Sequence, residues 1–155
     1  NCNFISAMPT NLYGPHDNFD INSGHVLPGL INKIYNAKKN NKKIVNLWGT
    51  GKPKREFLFV DDLANALVFL MKNYNDHEHI NIGSGNETSI INLAKIISQI
   101  VGYQGKFKFD KSKPDGTPRK LLSSKKINSL GWKSNTKLKE GIKITYKWFL
   151  SNQTK

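Results

Sequence analysis

One cysteine, Cys2, is all that the sequence contains. A single thiol cannot build a disulfide framework or a thiolate metal site, and the reading that follows is a reducing, cytoplasmic setting. Acidic side chains are also scarce: 11 against 24 lysines and arginines, for a formal charge of +13. Long apolar runs are missing as well. None approaches the roughly 20 residues that span a bilayer, so no membrane partner is expected. The first residues lack the basic, apolar, small-residue order of a secretory leader, and none is expected. Internal repeats and low-complexity linkers are absent too.

The positive excess has two explanations. A basic protein attracts nucleic acid, or lysine and asparagine are simply used wherever the surface allows. The lysines are scattered over 38–43, 52–54 and 111–126 rather than stacked on one helix face. No RNA-binding aromatic motif or zinc-finger spacing accompanies them. The second reading is preferred, and no nucleic-acid partner is expected; a small anion such as a nucleoside diphosphate needs only a few of these charges. His77 and His79 read as a solvated loop before a strand, so no metal is expected.

What is present is alternation. With 155 residues, 37% of them hydrophobic, the chain can bury the core of one domain. The run Phe4 to Met8 reads as a short buried strand that stops at Pro9, with an irregular loop from Thr10 to Phe19. "HVLPGLINKIYNAKKN" spaces Val26, Leu30, Ile31 and Ile34 as a helix, with Pro28 in its first turn. "KIVNLWG" is a strand. "EFLFVDDLANALVFLMKNY" passes from an extended segment into a helix that Asp61 or Asp62 can cap. "HINIGSG" is a strand, and "TSIINLAKIISQIVG" an amphipathic helix with Thr88 as cap and Gly102 as stop. "KFKFD" alternates like an edge strand, "SSKKINSLGW" is a short helix, and "TKLKEGIKITYKWFLSN" closes the chain with Leu138, Ile142 and Phe149 on one face. The class is α/β, in which ligands meet the C-terminal ends of strands.

Three loops carry chemistry out of proportion to their length. The first is "PTNLYG", Pro9 to Gly14. The second, Trp48 to Asp62, supplies an aromatic plate, two glycines, and Lys52, Lys54 and Arg55; a guanidinium fork suits phosphate oxygens. The third, "SKPDGTPRK", holds Asp115 in a turn among basic residues, where a carboxylate can accept two hydrogen bonds from a guanine edge. Each has a plainer reading: Trp48 as core, Arg55 in a surface ion pair, Pro-Asp-Gly as an ordinary turn.

Taken together, "MPTNLYGPHDNF", "SGHVLPGLI", "WGTG–P–REFLFVDDLA", "INIGSG" and "SKPDGTPRKLL" resemble the GDP-L-fucose synthases, epimerase–reductases among the extended short-chain dehydrogenases. The resemblance runs from about Ser6 to Leu150. It implies the C-terminal, substrate-binding part of an NAD(P)-binding Rossmann-type fold, without the dinucleotide-binding half. It implies that Pro9, Thr10, Asn11 and Leu12 lie along the nicotinamide end of NADP(H). His25 matches a histidine near cofactor and sugar that acts as the acid of epimerisation. Trp48 and Arg55 match substrate contacts, Arg55 on the diphosphate, and Asp115 matches a contact to guanine. Lys33 stands where the family commonly has arginine, which keeps the charge and loses the fork. A GDP-sugar substrate, an inactive fragment and a homodimeric full-length protein are further implications. The glycine-rich dinucleotide fingerprint is not in this sequence, and the family's reductive Tyr-x-x-x-Lys pair belongs upstream. Tyr35 and Lys39 share that spacing but stand on the wrong helix, and Cys2 does not match the family's cysteine base. The alternatives are another nucleotide-sugar enzyme of the same superfamily or a basic nucleic-acid-binding domain.

Overall fold

A computed structural model describes residues 4–152; Cys2 lies outside them. The first strand, β1 (Ala7–Pro9), pairs in parallel with β5 (Ile80–Ile82). It starts later than the apolar run suggests, and only one face of the run is covered: Ile5 and Ala7 are partly buried, whereas Phe4 is 86% and Met8 53% exposed. Among the described residues β1 has a partner on one edge only. That also explains how Pro9 can occupy a strand, since an edge tolerates a missing N–H.

The expected loop at Thr10 is a change of partner instead. Thr10 N still donates to Ile82 O (3.0 Å), and then Asn11–Tyr13 form β2 beside β4 (Lys54–Phe59), with Tyr13 opposite Phe59. The chain thus steps from one sheet to another within a single residue. The first half of β4 pairs with β6 (Glu87–Ser89) and β8 (Arg119–Lys120). A third ribbon joins β3 (Ile44–Trp48) to β7 (Lys106–Asp110), and β7 is an edge strand as its pattern predicts.

β2 and β4 form a wall between two apolar clusters, because side chains of a strand alternate sides. Tyr13, Phe57 and Phe59 face one cluster with α1 (Val26–Lys39), α3 (Ile90–Val101) and α5 (Leu138–Ser151). Leu58 faces the other, with Leu12 packed against it, together with Ala66 and Leu70 of α2 (Val60–Asn73), and Ile127 of α4 (Lys125–Ser129).

Several details differ from the sequence reading. Leu27, not Val26, turns into the core from α1, and Val26 is 41% exposed. Ser89, not Thr88, caps α3, accepting from Asn92 N; Thr88 belongs to β6. Gly102 ends that helix in the left-handed region as expected. Neither Asp61 nor Asp62 caps α2: its N-cap is Phe59, without a side-chain bond, and both acids sit in the first turn. Asp62 is drawn elsewhere, accepting from Thr136 N (2.9 Å) and Thr136 Oγ1 (3.1 Å), and so ties the approach to α5 onto α2.

Candidate active site

Period-two alternation decides the fate of Trp48. Val45 and Leu47 of β3 point into the core, so Ile44, Asn46 and Trp48 point out. Trp48 is 55% exposed, which removes the core reading of it. Its indole is flanked by two cations, with Lys33 Nζ 5.8 Å and Lys113 Nζ 5.9 Å from the ring centroid. Such a plate edged with ammonium groups suits a flat base and its phosphates. Burial pushes Lys33 below the ordinary lysine value, and the charge of Asp110 works against that shift.

A cleft of about 300 Å³ opens beside this ring. Its lining includes His25, Lys33, Trp48, Arg55 and Asp115, residues spread over 91 positions of sequence. Arg55 makes no ion pair among the described residues. One guanidinium N–H donates to Lys54 O (2.8 Å), which leaves most of its five donors for a ligand.

Asp115 is already employed. One oxygen accepts from Thr50 N (2.6 Å) and the other from Thr50 Oγ1 (2.6 Å). The contact needs Gly49, whose φ is +68°; a Cβ there would collide with the Asp115 carboxylate. Asp115 therefore latches the 112–118 turn onto the Gly49–Gly51 loop at the cleft's rim. Further lone pairs on a carboxylate remain open to a second set of donors. The Thr50 hydroxyl and amide hold the Asp115 carboxyl below its ordinary range. A group whose pKa is lowered by folding contributes stability above its unfolded value and loses it as pH falls through the folded one. The latch is thus expected to open only under acid conditions, below the ordinary aspartate range. NMR of the Thr50 amide against pH checks this; a midpoint at or above the ordinary value contradicts it.

His25 is the N-cap of α1, yet only its main chain serves the helix: Gly29 N donates to His25 O (3.0 Å), and the imidazole makes no capping bond. The side chain is left to the surface, where it lines two clefts at once. The second, about 530 Å³, also takes in Thr10, Asn11, Leu12 and Asp17. His25 thus stands at the junction between the Trp48 cleft and the strand-end segment Thr10–Leu12. Pro9 is not in that second cleft; it joins Thr10, Asn11, Arg119 and Lys120 around a third hollow of about 430 Å³.

Sequence reasoning passed over Asp17. Burial raises its carboxyl above the ordinary value, opposed by the Asn18 amide and by the charge of His25. A carboxyl and an imidazole sharing one cleft is a common acid–base arrangement. Nothing in the local sequence marks Asp17, because the pairing depends on how the Asp17–Gly24 turn folds back. Lys113 was likewise one lysine among many until Trp48 stood beside it. Tyr35 packs on Phe149 (5.3 Å between centroids) and Tyr146 (6.4 Å), and so belongs to the core face of α1. Asp76 and Glu78, which flank His77, both pair with Lys126. Among the described residues no group of three potential ligands could hold a metal, and no helix is long and apolar enough to cross a membrane.

The cleft beside Trp48 and the strand-end segment at Thr10–Leu12 thus stand at the edge of parallel strands in an α/β frame. The pattern of the NAD dependent epimerase/dehydratase family matches residues 1–83, and the chain belongs to that family. It is 57% identical over 96% of its length to a probable GDP-L-fucose synthase 1 of Oryza sativa subsp. japonica, covering 45% of that protein. It is 56% identical over 97% of its length to the GDP-L-fucose synthase of Sinorhizobium fredii, covering 48% of it. The crystal structure of a GDP-L-fucose synthetase from Naegleria fowleri bound to NADP superposes with a TM-score of 0.92 at 40% identity, over 97% of this chain and 48% of that one. The chain spans about half the length of the relatives it matches.

Proposed function

We propose that this chain is the C-terminal, substrate-binding part of a GDP-L-fucose synthase, a cytoplasmic, homodimeric enzyme. That enzyme converts GDP-4-keto-6-deoxy-D-mannose to GDP-L-fucose by epimerisation at C3 and C5 and reduction at C4. The observation that carries this reading is the convergence of His25, Lys33, Trp48, Arg55 and Asp115 on one cleft, in a chain 56–57% identical to proteins of that name. In this reading Trp48 and Asp115 receive the guanine, Arg55 and Lys33 the diphosphate, and His25 the reacting sugar carbons. Thr10, Asn11 and Leu12 border the nicotinamide of NADPH, which supplies the hydride at C4. The phosphates of that cofactor have no glycine fingerprint to rest on here, so they belong to the preceding part of the longer protein. The 155 residues by themselves are expected to bind nucleotide and to turn nothing over.

The test is a titration of the chain with GDP and ADP, followed by chemical shifts or calorimetry. GDP is expected to bind weakly, because one wall of the site is missing and the ordering cost falls on fewer contacts. Its shifts should concentrate at Trp48, Thr50 and Asp115. Guanine offers two adjacent donors where adenine does not, and only such a pair can engage both oxygens of the Asp115 carboxylate. Asp115→Asn should therefore blunt the preference for GDP. Thr50→Val, which breaks the latch but keeps the carboxylate, should preserve more of it. Shifts scattered over the surface, with none at Trp48 or Asp115, overturn the assignment.

A further inference from the structure

Glu56 is fully buried, at 0% exposure. Its position in β4 would suit an apolar residue, since Phe57, Leu58 and Phe59 follow it. Both carboxylate oxygens act as acceptors for main-chain donors. Oε1 takes Gly85 N (2.7 Å) and Oε2 takes Leu122 N (3.0 Å). Its main-chain oxygen takes Asn11 Nδ2 (2.8 Å) and, at longer range, Thr10 Oγ1 (3.5 Å). Gly83 makes room for it, because a Cβ there would strike the carboxylate. One residue is therefore bonded to three segments distant in sequence: the β1–β2 step, the glycine loop that follows β5, and the turn that follows β8.

Two of those segments, the β1–β2 step and the turn after β8, line one hollow, with Pro9, Thr10 and Asn11 on one side and Arg119, Lys120 and Leu122 on the other. The link is direct. Thr10 N is held by Ile82 O, one residue before the glycine loop that the carboxylate clamps. Lys120 lies two residues before the amide on the other oxygen. A buried carboxylate with both oxygens on backbone donors sets spacing more sharply than apolar packing can, since moving either loop strands a donor. We infer that Glu56 is a positioning residue of the enzyme: through Gly85 and Leu122 it sets the distance between the Thr10–Asn11 segment and the Lys120 segment. This rests on the functional reading above.

The experiment compares Glu56→Gln and Glu56→Asp with the unmodified full-length enzyme, with kcat expressed per folded molecule. Glutamine must turn an N–H toward either Gly85 N or Leu122 N, so one loop is released. Small misplacements of groups beside a reacting centre cost about ten- to a hundredfold in rate. Glu56→Gln is expected to lower kcat in that range, with KM for NADPH changed less than about threefold. Glu56→Asp keeps two acceptors and is expected to lose less. A wild-type kcat in both variants, however low their melting temperatures, makes Glu56 merely structural and overturns the inference. If the glutamine variant fails to fold, a wild-type kcat for the aspartate variant overturns it equally. If the unmodified enzyme itself fails to turn over the GDP-sugar, the functional reading fails separately. Glu56 is then judged in this chain by amide exchange. Faster exchange at Thr10 together with Gly85 and Leu122 in Glu56→Gln supports the linkage, and unchanged exchange at Thr10 overturns it.

Discussion

Replacing His25 by glutamine in the full-length enzyme is expected to cut product formation by about a hundred- to ten-thousandfold, the usual cost of losing a general acid. The fold gives this prediction its sharpness. The helix that His25 begins is capped by its main chain alone, so glutamine leaves α1 intact. The side chain borders both the Trp48 cleft and the Thr10–Leu12 cleft, which is where the proposed function needs a proton donor. Epimerisation beside a ketone needs one group to take the carbon-bound proton and another to return one on the opposite face. Glutamine still donates hydrogen bonds but cannot give up a proton as an acid. Solvent deuterium exchange at C3 and C5 reports the first step separately and is expected to survive better than turnover. If exchange, turnover and NADPH affinity fall together, His25 is a cofactor contact; if none falls, it only starts a helix.

Truncating Phe149 to alanine is expected to destabilise the chain by about 3–5 kcal/mol, the range for removing a buried aromatic ring. Phe149 is 2% exposed and lies 4.8 Å from Phe19 and 5.3 Å from Tyr35, centroid to centroid. It clamps α5 to α1 and to the turn that carries Asp17. For a domain near this size the loss corresponds to roughly 6–20 °C in melting temperature. Denaturant or thermal unfolding checks it, and a change below about 1 kcal/mol would show that the site turn does not depend on α5.

The sequence was most legible where a single period ruled. The α1, α3 and α5 helices follow from apolar spacing, and β7 from alternation. Their termini were less so: Ser89 took the cap expected of Thr88, and Asp62 was recruited by Thr136, 74 positions away. A cap is decided by which donor arrives, and the arriving donor can come from anywhere in the chain. The buried strand expected at Phe4–Met8 failed for a related reason. Apolarity says that a residue can be buried; only a neighbouring element makes it so, and among the described residues no second strand pairs with β1.

The site divides in the same way. The residue types of the proposed site stand in order along the chain, Trp48, Arg55 and Asp115 singled out by their loops, and Thr10, Asn11, His25 and Lys33 by the family resemblance alone. Side-chain chemistry is a local property and survives in a one-dimensional string. Distance is not. That Trp48 faces out between Lys33 and Lys113, that Asp115 spends its first hydrogen bonds on Thr50, and that Asp17 shares a cleft with His25 were settled only when β3, α1 and the two turns packed. The buried Glu56 is the clearest case. In sequence it is one acid before an apolar strand; in the fold its two oxygens hold backbone amides 29 and 66 positions away, because a buried carboxylate must find donors and tertiary packing alone determines which ones it meets.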